Sequence, residues 1–287
     1  VGEAAIQELR KYGVNTSFVN KVKNARLGIY FLESGSNARP SVVVYDRENS
    51  AIANSNVTDF SWNKIFENGT WFHITGITPA ISKNAQEVSL EAVKQAKSMG
   101  LTVSIDLNYR KKLWNYGKKP SEVMKELVKY ADVLIANEED IQKSLEIQTS
   151  IDVTKGQLDI EAYKKLIQSV KKDFPNLSTI AITLRESFSA DNNAWSGILY
   201  NNDKIFVSQK YQIQDIVDRV GGGDAFSAGL IFGLDEYQND FQVTSCSSRC
   251  ILHATQESQR PMGCPIPSDV LYLWAKISTM QNQSGCV

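Results

Sequence analysis

The sequence predicts an α/β sandwich with a small β appendage near its N-terminus. From about residue 71 onward, short apolar runs alternate with helical stretches, the pattern of βαβ units and a largely parallel sheet. Before that point, β-rich runs are separated by turn-forming clusters, the pattern of a small antiparallel strand group. No apolar run approaches the roughly 18 residues needed to cross a bilayer, so a membrane bundle is not the fold.

The elements follow in order. Ala4 to Tyr12 has helical spacing and stops at Gly13, a common helix terminator. Thr16 to Val19, Leu27 to Glu33 and Ser41 to Tyr45 read as strands, divided by Asn24-Ala25-Arg26 and Ser34-Gly35-Ser36-Asn37. The run Gly28 to Leu32 alternates only loosely, which predicts a strand that uses both faces. Trp71 to Gly76 is a short buried strand with a glycine stop. Ala85 to Met99 is helical, with Val88, Ala92 and Ala96 on one face, and Gly100 ends it. Strands at Leu101 to Leu107, Val133 to Ala136 and Ser178 to Leu184 alternate with helices at Val123 to Ala131, Glu139 to Leu145 and Ile160 to Lys172. Ile198 to Tyr200 and Lys204 to Val207 flank Asn201-Asn202-Asp203, a hairpin-type turn.

Bulk composition narrows the function classes. The chain has 287 residues, long enough for one large α/β domain or two smaller ones. Its 31 basic and 32 acidic residues leave a net charge of -1, so no basic surplus points to nucleic acid. Val1-Gly2-Glu3-Ala4-Ala5 lacks the basic start and apolar stretch of a signal peptide, and no membrane segment follows, so a cytoplasmic enzyme is expected. The chain opens directly into a helical pattern without an initiator Met, which leads us to expect a missing upstream segment. All four cysteines, Cys246, Cys250, Cys264 and Cys286, are late in the chain. No second Cys or His pair completes a zinc pattern, so they read as free thiols. His73, beside Trp71 and Phe72 on an apolar strand, reads as a packed histidine.

In open α/β sheets ligands sit outside the carboxyl ends of the strands. That directs attention to Gly76, Asn108 to Arg110, Asn137 to Asp140, and Arg185. The strongest local signal is Gly221-Gly222-Gly223-Asp224, running into the helical pattern Ala225-Phe226-Ser227-Ala228. Glycines let backbone N–H groups crowd against an anion, and a helix N-terminus favours negative charge. No Gly-Lys-Ser/Thr follows, so this is not a P-loop. Asp224 at the mouth of such a cradle could accept a proton from an attacking hydroxyl. It could equally cap the helix, and the loop alone does not decide.

Taken with its flank, Asp218-Arg219-Val220-Gly221-Gly222-Gly223-Asp224 is similar to the Asp-Thr-x-Gly-Ala-Gly-Asp signature of the ribokinase/pfkB carbohydrate kinases. Arg219 and Gly222 resemble the 2-keto-3-deoxygluconate kinase branch, as do Leu27 to Glu33, Tyr45-Asp46-Arg47, Asp106-Leu107-Asn108-Tyr109-Arg110 and Leu184-Arg185-Glu186-Ser187. The resemblance implies a ribokinase-like three-layer sandwich with a mostly parallel central sheet and a β lid over about residues 16–46. It implies an ATP-dependent kinase acting on a hydroxyl of a sugar acid. Asp224 would be the catalytic base, and the backbone of Gly221, Gly222 and Gly223 the anion hole. Tyr30, Tyr45, Arg47 and Arg110 would contact the sugar acid, guanidinium groups being suited to a carboxylate. Thr183, Arg185, Ser187 and Gly223 would face the nucleotide. Asn137-Glu138-Glu139-Asp140 resembles the Asn-x-x-Glu metal motif with Asp in the last place. Asn137 and Asp140 would thus organise Mg²⁺ through water. The same pair also reads as a helix-capping box. The resemblance leaves the need for a monovalent cation open, and it implies homo-oligomer formation through the lid strands.

It covers about Val1 to Phe241. The family's first strands and a glycine-rich stretch with Asn are expected to be missing from the N-terminus. We expect a ribokinase-like domain over residues 1–245 and an atypical segment over 246–287. Val243 to Cys250 has poor apolar spacing, Pro261, Pro265 and Pro267 break any helix, and Leu271 to Met280 could form a short one. Two other functions compete: a kinase of a neutral sugar such as fructose or ribose, and an inactive ligand-binding fragment.

Overall fold

The structure, a computed structural model, describes residues 1–148, 160–216, 220–237 and 239–255. Helix α1 (Gly2–Lys11) precedes a two-stranded antiparallel sheet of β1 (Ile29–Glu33) and β2 (Val42–Asp46). Then come α2 (Trp62–Phe66), β3 (Trp71–Thr75), α3 (Ile77–Ile81), α4 (Lys83–Ser98), β4 (Thr102–Asp106), α5 (Pro120–Val128), β5 (Val133–Ala136) and α6 (Glu138–Leu145). Helix α7 (Ile160–Asp173), β6 (Thr179–Ser187), β7 (Asn193–Asn201), β8 (Lys204–Val207), β9 (Tyr211–Ile213), α8 (Gly222–Glu236) and α9 (Asp240–Thr255) complete the described chain.

The main sheet has the order β3-β4-β5-β6-β7-β8, with β9 also paired to β7. Strands β3 to β6 run parallel, and β7 pairs antiparallel with β6, β8 and β9. Among the described strands of this sheet, β7 alone therefore points the other way. The fold is a ribokinase-like α/β sandwich.

Period-two burial builds its layers. In β5 and β6, Leu134, Ala136, Ile180, Ile182 and Leu184 face the core under α4 to α7. Val133, Ile135 and Ala181 face the opposite core, filled by Phe226 and Leu230 of α8 and by Val243 and Ile251 of α9. Strands β3 to β6 thus deliver their carboxyl ends to the same rim. Among the described residues no helix is long and apolar enough to cross a membrane.

Two expectations need correction. Thr16 to Val19 is a turn, with the Val19 N–H bonded to the Thr16 carbonyl at 3.1 Å. Asn15 accepts the Ser17 N–H at 3.0 Å, and the Thr16 hydroxyl accepts the Arg10 Nε–H at 2.8 Å. Short polar side chains bonding locally outcompete the β preference of Thr and Val. The lid therefore begins at Ile29, not near residue 16. The second correction concerns the C-terminal side, where α9 runs through residue 245 and as far as Thr255. Its packed face is built from small residues: Val243, Thr244, Ser247, Ser248, Cys250 and Ile251 are all buried. Hydroxyls of Thr244, Ser247 and Thr255 bond back to carbonyls four residues earlier, at 2.7–2.9 Å. Apolar periodicity does not register a helix packed this way. Asp218, Arg219, Cys264, Cys286, the three late prolines and Leu271 to Met280 lie outside the described residues.

Close approach between α8 and α9 rests on glycine. A Cβ at Gly229 would lie 2.7 Å from Cys250 Sγ and 3.0 Å from Ser247 Cα. Overpacking of that kind costs about 1–3 kcal/mol, more than the up to about 1 kcal/mol that alanine contributes as a better helix former. Gly229→Ala is therefore expected to lower the urea midpoint of unfolding. An unchanged midpoint would show that α9 does not pack on α8 this closely.

Candidate functional site

The carboxyl ends of β3 to β6 open onto one cleft of about 950 Å³. Each expected site residue reaches it. Tyr30, Tyr45 and Arg47 enter from the lid, Arg110 from the loop after β4, and Asn137 and Asp140 from the start of α6. Thr183, Arg185 and Ser187 line it from β6, and Gly221, Gly222, Gly223 and Asp224 close its far side.

The lid places its residues by register. Tyr30 pairs with Tyr45 and Leu32 with Val43, so these four share the face that lines the cleft. Arg47 is only 6% exposed. Its guanidinium lies over the rings of Tyr45 and Tyr30, 5.4 and 5.8 Å from their centroids, and Nη1 has no hydrogen-bond partner. Burial pushes its pKa down, and the two tyrosines oppose that shift.

Beyond β4 the chain is tied sideways to its neighbours. Gly76 donates its N–H to the Asp106 carbonyl at 2.7 Å. A Cβ there would lie 2.1 Å from the Leu107 carbonyl oxygen, so only glycine fits. Asn108, with a left-handed φ of 39°, donates Nδ2–H to Thr75 Oγ1 at 3.2 Å. The Tyr109 N–H donates to Asp140 Oδ1 at 2.9 Å, and the Arg110 guanidinium donates back to the Tyr109 carbonyl at 2.8 Å.

Asn137 and Asp140 form a reciprocal cap. The Asp140 N–H donates to Asn137 Oδ1 at 2.8 Å, and the Asn137 N–H to Asp140 Oδ2 at 3.1 Å. The capping arrangement thus exists in full. Both Asp140 oxygens accept one amide, which leaves each a lone pair for water. The donor set therefore fits an ion held through its own hydration shell. Among the described residues no group of three or more His, Cys, Asp or Glu side chains is disposed to ligate a metal directly.

Asp224 is not the helix cap. Gly221, at φ 83°, takes the N-cap position of α8, and Asp224 falls on the first turn with its carboxyl in the cleft. Burial pushes its pKa up to about 7, and Arg110 pulls it down. Gly223 is exposed, and a Cβ there would meet no protein atom within 4 Å. Nothing inside the protein requires glycine at that position, whereas an anion approaching the amides from the cleft would.

Three residues escaped the sequence reading of the site. Asp106 is buried, and burial followed by the charges of Asp140 and Asp224 pushes its pKa well up. A charged residue inside the apolar run Val103 to Leu107 was its signal. Glu138 faces the cleft beside Arg185, with its pKa raised by burial. Trp195 lies opposite Arg185 in the β6–β7 register, its ring centroid 5.9 Å from the guanidinium carbon. Its strand starts five residues before the expected Ile198, so the pairing was not visible.

A raised carboxyl binds a proton in the folded state that the unfolded state releases. Stability contributed by that proton is lost as pH rises from about 3.8 through about 7. Asparagine carries no such proton. The melting temperature of Asp224→Asn minus that of the wild type should therefore become more positive between about pH 4 and about pH 8. A difference that stays flat would show an unperturbed Asp224.

The cleft thus joins the glycine-built start of α8, a carboxyl poised near neutrality and a buried cation. The sequence profile of the pfkB family carbohydrate kinases matches residues 1–242. A 2-dehydro-3-deoxygalactonokinase of Haloferax volcanii is 32% identical over 231 residues, covering 80% of this chain and 65% of that protein. A 2-dehydro-3-deoxygluconokinase of Bacillus subtilis is 25% identical, covering 82% of this chain and 65% of its own length. The chain thus spans about two thirds of the curated relatives it matches. The crystal structure of 2-dehydro-3-deoxygluconokinase from Thermotoga maritima superposes with a TM-score of 0.82 at 38% identity, covering 95% of this chain and 81% of that one. On its matched length and on the site its strands build, the chain belongs to the pfkB family of carbohydrate kinases.

Proposed function

We propose that this chain transfers a phosphoryl group from ATP to a hydroxyl of a sugar acid of the 2-keto-3-deoxygluconate type. The observation that carries the choice of an acid is Arg47, a buried guanidinium with Nη1 unpartnered on the wall of the cleft. A buried charge is costly unless it is paired. Two tyrosine faces offset part of that cost. A substrate carboxylate would supply the missing paired hydrogen bonds, which the hydroxyls of fructose or ribose cannot do as a charge. The named activities of the two relatives and of the Thermotoga protein support the same class.

In this reading Asp224 accepts the proton of the attacking hydroxyl. Its pKa of about 7 suits a base working near neutral pH. The amides at the start of α8, of Gly221, Gly222 and Gly223, meet charge growing on the transferred group, where losing one such donor costs about 2.7–4 kcal/mol. Arg110 neutralises the same end. Thr183, Arg185 and Ser187 hold the nucleotide side, with Arg185 steadied over Trp195. Mg²⁺, when bound, would screen the phosphate charge, with Asn137 and Asp140 reaching it through water. ATP as donor makes a cytoplasmic setting part of the reading. So does a homodimer through the lids, because Phe31, Val42 and Val44 expose apolar surface on the face turned away from the cleft.

ADP release with ATP, Mg²⁺ and a panel of 2-keto-3-deoxygluconate, fructose and ribose tests this. Turnover of the acid should exceed that of the neutral sugars. Asp224→Asn should lower kcat by about 10²–10⁴. Arg47→Gln should raise KM for the acid about tenfold or more, the scale of a lost charge-assisted bond. Gly223→Ala should fold normally yet lose turnover. Preference for a neutral sugar, or no ADP from well-folded protein with any sugar, would overturn the proposal.

A further inference from the structure

The lid is anchored at both ends. At its base, Arg26 holds the Asp46 carboxylate with two bonds of 2.5 and 2.9 Å. At its tip, Ser36 and Arg39 exchange backbone bonds of 3.0 and 2.9 Å, and Asn37 between them is left-handed at φ 50°. The Asn37 carbonyl then accepts the Ala190 N–H at 2.8 Å.

Ala190 belongs to the turn between β6 and β7, immediately after the strand that carries Arg185 and Ser187. The turn is closely bonded. The Phe188 and Ser189 N–H groups both reach the Asn192 carbonyl at 3.0 Å, and the Ser189 hydroxyl donates to Asp191 Oδ1 at 2.7 Å. Asp191 looks two ways. Its carbonyl accepts the Ile216 N–H at 3.1 Å, on the stretch between β9 and the glycine loop. Its carboxyl is held below the usual range by the Ser189 hydroxyl first, then by its own amide and the amide of Asn37.

We infer that Asp191 is a positioning residue, and that its turn latches the sugar-side lid to the nucleotide-side wall. The inference rests on the kinase reading for what the two walls bind. A two-stranded hairpin is marginal by itself, and among the described residues β1 and β2 form a sheet of two strands. What the tip touches therefore governs how often the lid is closed. The tip touches the hairpin that carries Arg185, through a node also bonded to the approach to Asp224. A ligand on either wall that favours the latched tip must favour the other ligand by the same factor. The contact amounts to one or two ordinary hydrogen bonds at the surface. Such a latch is strong enough to bias closure and weak enough to open in each cycle, and it shifts affinity roughly 2- to 10-fold.

The test is titration calorimetry of 2-keto-3-deoxygluconate, with and without a non-hydrolysable ATP analogue, on wild type, Asp191→Ala and Asp191→Asn. Asp191→Ala should weaken sugar binding roughly 2- to 10-fold and abolish the gain the analogue confers. Asp191→Asn keeps an acceptor oxygen for the Asn37 amide and should recover most of both. A lowered melting temperature with sugar affinity and coupling unchanged would reduce Asp191 to a structural turn residue and overturn the latch. Hydrogen exchange supplies an arm that needs no substrate. In unliganded protein, the Ala190 amide should exchange faster in Asp191→Ala and in Ser189→Ala than in wild type. Equal rates in all three would overturn the latch even if the protein proves an active kinase, whereas faster exchange in the two variants, beside a wild type that binds neither ligand, would defeat the kinase reading alone.

Discussion

The carboxylate of Asp140 is the interaction on which the site depends. One oxygen holds the Tyr109 amide and the other the Asn137 amide, so a single side chain joins the loop after β4 to the start of α6. Asn108 extends the same seam to Thr75 at the end of β3. Parallel strands present their carboxyl ends side by side, but the loops leaving them have no sheet pairing to hold them. A buried carboxylate accepting two backbone donors supplies that hold, with charge-assisted bonds stronger than neutral ones. Arg110 follows directly on this seam, so its aim into the cleft is set by the bonds that hold Tyr109. The cost appears in the carboxyl itself, whose pKa burial raises to about 6 despite those donors.

The charges of Asp140 and Asp224 add to burial in raising the proton affinity of Asp106. Carboxylates gathered in this way cannot all stay ionised without positive charge nearby. Arg110 is the charge that lowers all three. The glycine loop completes the arrangement without adding a net charge, because its amides offer only partial positive charge at a helix N-terminus. The result is a rim whose proton affinities are tuned by geometry, and in which a carboxyl near neutrality needs no neighbouring histidine.

Much of this was legible in the sequence. Alternating strands and helices from Trp71 to Leu184 announced the sheet, because β4 and β5 are buried on both faces and helices separate the strands. The Asn201-Asn202-Asp203 turn was legible for a local reason: Asn202 and Asp203 both adopt positive φ, which these residue types tolerate. The strand expected at Thr16 failed on equally local grounds, since Asn15 and Thr16 bond to their own neighbourhood. Helix α9 was obscured by its packing, in which glycine and serine make the contact and leave no apolar stripe. Residues that line the cleft could be named from ordered motifs, but their relations could not. The pairing of Arg185 with Trp195 depends on a hairpin register, and the burial of Arg47 depends on two tyrosines that share a face only once β1 and β2 are in register.

That register also gives the cleft a polarity. At the lid, Arg47 is enclosed by aromatic faces with no carboxylate bonded to it among the described contacts. Elsewhere on the cleft wall, Asp106, Asp140 and Asp224 share the charge of Arg110, which also lowers the proton affinity of Arg47. On the proposed function, an anionic sugar would place its carboxylate toward Arg47 and its hydroxyl end toward Asp224, because the reverse would bring a fourth carboxylate among three. A neutral sugar would feel no such preference. On the proposed function, discrimination for an acid and orientation of the attacking hydroxyl then have the same origin: a buried cation and a cluster of acids on the walls of one cleft.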